Sequence, residues 1–197
     1  MPIISGAAPV STSVPEVRAL ELDGLLEIRP RRFGDERGFF SEVWRDDWLV
    51  QLGLDVRFVQ DNHSYSKARG VLRGMHFQRP PAAQDKLVRV ARGAIFDVAI
   101  DIRSGSQTFG RWAGIVLSDA EWNQLFIPKG FAHGFVALEN DTEVLYKVSE
   151  AHSPDHDCSI RFDDPAVAID WPVDLASITV SEKDRTAPFL ADVETGL

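Results

Sequence analysis

The sequence predicts an all-β protein, built as an antiparallel sandwich or barrel with short peripheral helices. From Leu25 onward, short runs of β-forming residues are separated by Gly, Pro, Asp and Asn, the residues of tight turns. The clearest strand is AIFDVAIDIR at 94–103. This strand alternates Phe96, Val98, Ile100 and Ile102 with Asp97, Ala99, Asp101 and Arg103. A period of two predicts one core face and one polar face.

Other strand-length runs lie on both sides of 94–103. KLVRVARG precedes it, and TFGRWAGIVL, NQLFIP, GFVAL and TEVLYKV follow it, with turn residues between the runs. This spacing predicts antiparallel pairing. We expect one short amphipathic helix over 42–53, EVWRDDWLVQLG, that ends at Gly53. The tail from Pro165 predicts a turn or short helix over the barrel mouth.

The length predicts one domain. A chain of 197 residues can bury a core of its own, and no internal repeat divides it. Residues 1–15 are rich in Ser, Pro, Ala and Gly and have no periodicity, so we expect either a flexible arm or a strand exchanged with a partner subunit. Residues 16–197 then form the single domain.

Charge and cysteine content exclude several classes of function. A formal net charge of −9 argues against nucleic acid or an anionic membrane as partner, although a few Arg and Lys in a cleft can still hold one nucleotide. No apolar run approaches the ~20 residues of a membrane span, and the first residues lack the features of a signal peptide. Cys158 is the only cysteine, so we expect neither an intrachain disulfide nor a Cys-based zinc cluster. These features predict a cytoplasmic protein.

Five histidines make metal binding the first chemistry to consider. In PKGFAHGF, Pro128, Gly130 and His133 fit P-x-G-x-x-H, one half of the metal-binding signature of cupin barrels. The other half requires an H-x-H pair, but residues 76–78 read HFQ, and glutamine is a poor ligand for a transition metal. We therefore expect no metal, and a metal-dependent cupin enzyme is the alternative.

Arg73 and His76 lie at the end of an apolar strand, on either side of Gly74. Strict alternation would point the two side chains to opposite faces. Gly74 is a natural position for a β-bulge, which would turn both side chains into one cavity. The alternative for His76 is a structural histidine with satisfied hydrogen bonds.

Lys86 shares a strand face with Val88 and Val90. A lysine on an apolar face should point into the barrel or its mouth. The alternative is an amine that extends to the rim and stays in water.

Tyr146 shares a strand face with Val144 and Val148, so its hydroxyl would need a partner inside the barrel. The alternative role is that of a hydrogen-bonded core tyrosine. Near the C-terminus, SEKD supplies Lys183 and Asp184, which by themselves would be only a charged turn.

These stretches together resemble the dTDP-4-dehydrorhamnose 3,5-epimerase family from about Leu25 to Pro188. The landmarks, in the same order and at similar spacing, are DERGFF at 35–40, FVQDNHS at 58–64, GVLRGMHFQ at 70–78, QDKLVRV at 84–90, FDVAIDIR at 96–103, FIPKGFAHGF at 126–135, LYK at 145–147 and SEKD at 181–184. The resemblance implies a cupin-type jelly-roll β-barrel, a homodimer and a reaction without cofactor or metal. The substrate would be a dTDP-linked 4-keto-6-deoxy sugar, inverted at C3 and C5 to give dTDP-4-dehydro-L-rhamnose.

The resemblance also implies the role of each site residue. His76 would be the general base, oriented by Asp184, and Tyr146 would be the acid on the opposite face of the sugar ring. Lys86 would stabilise the enolate. The positions that hold the nucleotide sugar would be Arg37, Glu42, Gln60, Asn62, Arg73, His133, Asp157 and Lys183.

The implied reaction explains why these residue types are needed. A proton next to a ketone becomes removable only if a fixed donor or cation meets the charge that moves onto the ketone oxygen. A histidine that is held by a carboxylate has a basicity suited to neutral pH. Inversion also requires that a second acid return the proton from the other side of the ring.

This chain departs from the family at two positions near the nucleotide. It has His152 where an aromatic residue commonly stacks on the thymine, and Asp157 where glutamate is usual. Two alternatives keep the fold: an epimerase that acts at C3 or C5 alone, and a sugar-binding cupin without activity. The presence of all four catalytic residue types argues against the second.

Overall fold

In the computed structural model, residues 15–197 are described, and they form two antiparallel sheets that face each other. The strands are β1 (Glu16–Ala19), β2 (Leu26–Arg29), β3 (Arg32–Asp35), β4 (Gly38–Ser41), β5 (Gln60–Ser66), β6 (Leu72–Gln78), β7 (Lys86–Arg92), β8 (Ala94–Asp101), β9 (Trp112–Ser118), β10 (Gln124–Ile127), β11 (Phe131–Ala137), β12 (Thr142–Val148) and β13 (Asp157–Ser159). Helix α1 spans Asp46–Gln51, helix α2 spans Glu182–Arg185, and a 3₁₀ turn spans Leu190–Asp192.

The larger sheet has the strand order β1-β2-β10-β7-β12-β5, and the smaller sheet has the order β13-β6-β11-β8-β9. Strands β3 and β4 form a separate hairpin. Pairing within the sheets is antiparallel. The predicted all-β class and its jelly-roll barrel are therefore confirmed.

One apolar cluster fills the space between the two sheets. Val88 and Val144 from the larger sheet meet Ile95 and Phe135 from the smaller one, and all four are buried. Removing this apolar surface from water contributes roughly 25 cal/mol per Å². The cluster forms the apolar part of the barrel interior.

Two further clusters cover the outer faces of the sheets. On the smaller sheet, Val98 packs with Trp171 and Leu190 of the C-terminal segment. On the larger sheet, Leu49 of α1 packs against Leu87. Each sheet is therefore buried on both faces over much of its area.

This double burial changes the prediction for 94–103. The alternation is present in β8, but the polar face is not exposed, because Asp97 points into the barrel and Asp101 is also fully buried. The predicted core face and polar face are therefore both present, and the polar face is buried as well.

Asp101 is buried because it organises the loop that follows β8. Its carboxylate accepts hydrogen bonds from Arg103, Ser106 and Thr108 at 2.6–2.9 Å. Burial alone would raise the pKa of Asp101, but these donors hold the pKa well below its usual range. The carboxylate is thus a structural anchor.

The predicted helix over 42–53 is shorter than expected and begins at Asp46. The preceding residues stay extended because the carbonyl oxygen of Val43 accepts a hydrogen bond from Gln124 Nε2 at 2.8 Å. Gly53 has φ +76° and follows the last helical turn, as expected of a glycine that ends a helix.

The tail from Pro165 covers the outside of the smaller sheet and then crosses to the open end of the barrel, where it forms α2. This agrees with the predicted short helix at the mouth. None of the helices in residues 15–197 is long and apolar enough to cross a membrane. The predicted arm at 1–15 lies, apart from Pro15, outside the described residues.

A β-bulge between β6 and β11 sets the direction of the side chains at the open end. His76 pairs with His133 and Arg73 pairs with Phe135, so Gly74 and Met75 together oppose a single residue, Gly134. The extra residue shifts the alternation of side chains along β6 by one position. Arg73 and His76 consequently line the same cavity.

Gly74 is required at this bulge for two reasons. Its φ is +115°, and a Cβ atom there would lie 2.6 Å from the Cα of Gly134. We expect Gly74→Ala to lower the free energy of unfolding by about 2 kcal/mol or more, because β6 and β11 would have to separate. Urea denaturation monitored by circular dichroism measures the change.

Gly105→Ala is the matched control, since a Cβ atom at Gly105 would meet nothing within 4 Å. We expect its effect to stay within about 0.5 kcal/mol. Equal stability of the two variants would contradict the role of the bulge.

Candidate active site

A cavity of about 470 Å³ opens between the two sheets at the end of the barrel. A second space of about 220 Å³ adjoins it and leads to the surface. The two spaces share four lining residues: His76, Lys86, Tyr146 and Lys183. Each of these is among the residues that the sequence predicts for catalysis or binding.

His76 lies on β6 and contacts Asp184 of α2, with 2.6 Å between Nε2 and Oδ1. The hydroxyl of Ser181 caps α2 by accepting the backbone N–H of Asp184 at 3.1 Å. Gly74 N–H donates to Asp184 Oδ2 at 3.4 Å. The carboxylate is therefore held by the bulge as well as by its own helix.

Burial alone would raise the pKa of Asp184, but the hydrogen bond from His76 holds that pKa below its ordinary value. The carboxylate stays ionised and accepts the Nε2 proton. Nδ1 is then the ring nitrogen of His76 that can accept a proton.

Lys86 lies on β7 and points into the barrel, as its position beside Val88 and Val90 predicts. The side chain is only 7% exposed, and Nζ donates to the carbonyl oxygen of His76 at 3.4 Å. Burial lowers the pKa of Lys86 to about 8, and the negative charges of Asp157 and Asp97 oppose this effect. The amine is therefore not on the rim.

Tyr146 lies on β12 of the larger sheet, across the cavity from His76 on the smaller one. Partial burial raises the pKa of its hydroxyl, and Arg73 lowers it by a smaller amount. The expected hydrogen-bond partner is not found, because no residue among 15–197 bonds to the hydroxyl. The group instead faces the cavity and is free to bond to a ligand.

His133 and Arg73 complete the inner cavity. His133 lies on β11 with Nε2 2.7 Å from Asp97 Oδ1, and both residues are buried. Arg73 is exposed at the rim, where it donates to the carbonyl oxygen of Tyr65 at 2.9 Å.

Amide and charged side chains line the outer space. Gln60 Nε2 donates to Asn62 Oδ1 at 2.8 Å, and Gln60 Oε1 accepts the backbone N–H of His152 at 3.0 Å. Lys183 forms an ion pair with Asp157 across the opening. All five residues line the same space.

Arg37 and Glu42 are the two predicted binding residues that the structure does not bring to this cavity. Arg37 lies in the turn of the β3–β4 hairpin, where it is 84% exposed and bonds to Asp35. Glu42 follows the hairpin and lies 3.7 Å from Arg45.

Residues 15–197 contain no cluster of three or more His, Cys, Asp or Glu side chains arranged to hold a metal ion. His133, which fits half of the cupin metal signature, bonds to Asp97.

Asp97 was not among the predicted site residues. The alternation in FDVAIDIR indicates that Asp97 lies opposite the apolar face of its strand. In the structure, the C-terminal segment packs on the apolar face of β8. Only this packing shows that the face with Asp97 points into the barrel. A carboxylate flanked by Phe96 and Val98 is the signal that could have singled it out.

In this jelly-roll barrel, a histidine–carboxylate pair faces a tyrosine across the cavity, and a buried ammonium group lies in the same cavity. This arrangement is typical of an enzyme that moves protons by acid–base catalysis. Comparison with known proteins identifies the family. The chain belongs to the dTDP-4-dehydrorhamnose 3,5-epimerases, whose family model matches residues 19–192.

Two curated relatives and one solved structure illustrate the similarity. The dTDP-4-dehydrorhamnose 3,5-epimerase of Methanothermobacter thermautotrophicus is 52% identical over 83% of this chain and 88% of its own length. The enzyme of the same name from Sinorhizobium fredii is 50% identical over 84% of this chain and 85% of its own. The crystal structure of dTDP-6-deoxy-D-glucose-3,5-epimerase from Legionella pneumophila in complex with dTDP-4-keto-L-rhamnose is 44% identical, with a TM-score of 0.87, and covers 91% of this chain and 94% of that one.

The unusual environment of Lys86 predicts an unusual titration. We expect one lysine Cε resonance to titrate with a midpoint near pH 8, because burial disfavours the ammonium form. NMR of protein labelled with ¹³C-lysine measures every midpoint, and Lys86→Met assigns the resonance by its loss. Titration of all lysines above pH 10 would contradict the burial of this amine.

Proposed function

We propose that this protein inverts C3 and C5 of dTDP-4-dehydro-6-deoxy-D-glucose and so produces dTDP-4-dehydro-L-rhamnose. The observation that carries the proposal is the placement of the His76–Asp184 pair and Tyr146 on opposite sheets, with Lys86 in the same cavity. A sugar ring between the sheets has one face toward the base and the other toward the acid.

The first step is proton abstraction next to the C4 ketone. His76 takes the proton on Nδ1, and the C–H electron pair forms the C=C bond of an enolate while the carbonyl π electrons move to the oxygen. Asp184 supports the imidazolium that forms. Lys86 meets the new charge on the oxygen, and since its pKa is about 8, most of it is protonated at neutral pH.

The second step returns a proton from the other side. Tyr146 donates its hydroxyl proton to the carbon, and the ketone re-forms with inverted configuration. Solvent then reprotonates the tyrosinate and removes the proton from His76. Repetition of the two steps at the second carbon completes the reaction without oxidation or reduction, so we propose that no cofactor takes part.

The outer space suits the nucleotide part of the substrate. Lys183 and Arg73 can meet the diphosphate, and Gln60 and Asn62 offer amide donors and acceptors. The ring of His152 lies at the same opening and can stack on the thymine. We propose that these groups hold dTDP while the sugar enters the barrel.

A cytoplasmic location agrees with this substrate and with the single cysteine.

Deuterium exchange tests the proposed reaction directly. The metal-stripped protein is incubated with dTDP-4-dehydro-6-deoxy-D-glucose in deuterated water, and the C3 and C5 proton signals are followed by NMR. We expect both signals to disappear. Loss of only one would identify an enzyme that acts at a single carbon, and loss of neither by folded protein would refute the proposal.

Variants separate the two steps in the same experiment. His76→Ala should slow exchange at both carbons by about 10²–10⁴-fold, the usual contribution of a general base. Tyr146→Phe should slow formation of the inverted product more than it slows exchange, because abstraction precedes the action of the acid. Cys158→Ser is the control, since Cys158 packs against the outer apolar cluster, away from the cavity. Near-full turnover by His76→Ala would refute the assignment of the base.

We also propose a homodimer in which Arg37 and Glu42 serve the cavity of the partner subunit. Both match family positions that hold the nucleotide sugar, yet neither lines the cavity of its own chain. The hairpin that carries Arg37 exposes Phe39 and Phe40, which are 54% and 70% accessible. Exposed aromatic side chains on a projecting hairpin are typical of a surface that packs against another chain.

Complementation tests the shared site. We expect the Arg37→Ala variant and the His76→Ala variant each to be poorly active by itself. The two variants are co-expressed with different affinity tags, and the mixed dimer is isolated by two purification steps, one for each tag. One of its two sites is then intact, so we expect about half of the wild-type activity per dimer. A mixed species as inactive as its parents, or a monomer by light scattering, would contradict this arrangement.

A further inference from the structure

Asp97 is a buried carboxylate with no role in the mechanism above. It lies in the middle of β8 with no exposed surface, and Oδ1 bonds to His133 Nε2 at 2.7 Å. The other oxygen, Oδ2, is buried without a hydrogen-bond partner among residues 15–197. Such a group destabilises the fold unless nearby positive charge compensates it.

The groups that can compensate Asp97 belong to the cavity. His133 contacts it directly, and Lys86 experiences its charge, since Asp97 acts to raise the pKa of that amine against the effect of burial. A neutral residue at 97 would avoid the cost of burying a charge. The electrostatic balance of the cavity therefore gives a reason for a carboxylate here.

We infer that Asp97 is a positioning residue whose negative charge fixes the ring of His133 and keeps the Lys86 amine in its ammonium form. This inference rests on the proposed function, because the ammonium group is what meets the enolate. Asp97 does not line the cavity, so it acts through these two side chains and does not touch the substrate.

Two other carboxylates line this part of the cavity, and each has a partner of its own. Asp157 pairs with Lys183, and Asp184 bonds to His76. The titratable and charged groups that line this part of the cavity are Arg73 and His76 on β6, Lys86 on β7, His133 on β11, Tyr146 on β12, Asp157 on β13, and Lys183 and Asp184 on α2. Asp97 on β8 contacts His133 but is not part of that lining.

The test is Asp97→Asn, which keeps the size of the side chain and an oxygen that can accept the His133 hydrogen bond, but removes the charge. We expect kcat to fall by about tenfold or more, with KM for the dTDP sugar nearly unchanged. In the plot of kcat against pH, the alkaline limb should move to lower pH. The midpoint of the Lys86 Cε titration should move in the same direction, because a charge that favours the ammonium form is gone.

Asp101→Asn is the matched control, because Asp101 is equally buried on the same strand but bonds to loop groups. It should lower Tm and leave the alkaline limb in place. If Asp97→Asn does not fold, the Lys86 titration in the smaller variant Asp97→Ser provides the same readout.

An alkaline limb and a Lys86 midpoint that do not move in Asp97→Asn would overturn the inference. So would a shift of equal size in Asp101→Asn. Wild-type protein is assayed first, and absence of exchange there would instead refute the proposed function. The two failures are therefore distinguishable.

Discussion

The close approach of β6 and β11 at the bulge is the constraint on which the site depends. Gly74 and Gly134 bring the two backbones so near that neither position has room for a side chain. The extra residue turns Arg73 and His76 into one cavity, and the N–H of Gly74 also holds the carboxylate of Asp184. The orientation of His76, the proposed base, and the orientation of Asp184 thus follow from one local feature of the backbone.

Around this constraint, the cavity balances its charges in pairs. A protein with net charge −9 would repel a nucleotide sugar unless the cavity gathered cations. Most of these cations or histidines have a carboxylate partner. The pairs are His76 with Asp184, His133 with Asp97 and Lys183 with Asp157. Lys86 has no ion pair among residues 15–197 and donates only to a carbonyl oxygen, so its charge is available to the anionic intermediate that we propose.

Much of the fold and site could be predicted because the relevant signals are local. Alternation identified β8, and the position of Lys86 beside two valines predicted an inward amine. The site of the bulge could be proposed from Gly74 alone. The extent of α1 could not be predicted. Residues before Asp46 stay extended because Gln124, about eighty positions away in the chain, bonds to one of them.

By itself, the sequence determined the chemistry that this protein can perform, because residue types and their spacing within short motifs establish which acids, bases and cations are present. Only the tertiary structure decided how those groups meet. Asp184 reaches His76 from a distant helix, Asp97 points into the barrel because a C-terminal segment covers the other face of its strand, and Arg37 is left outside the cavity of its own chain. Burial and contact between distant segments depend on how whole sheets pack, and no local pattern contains that information.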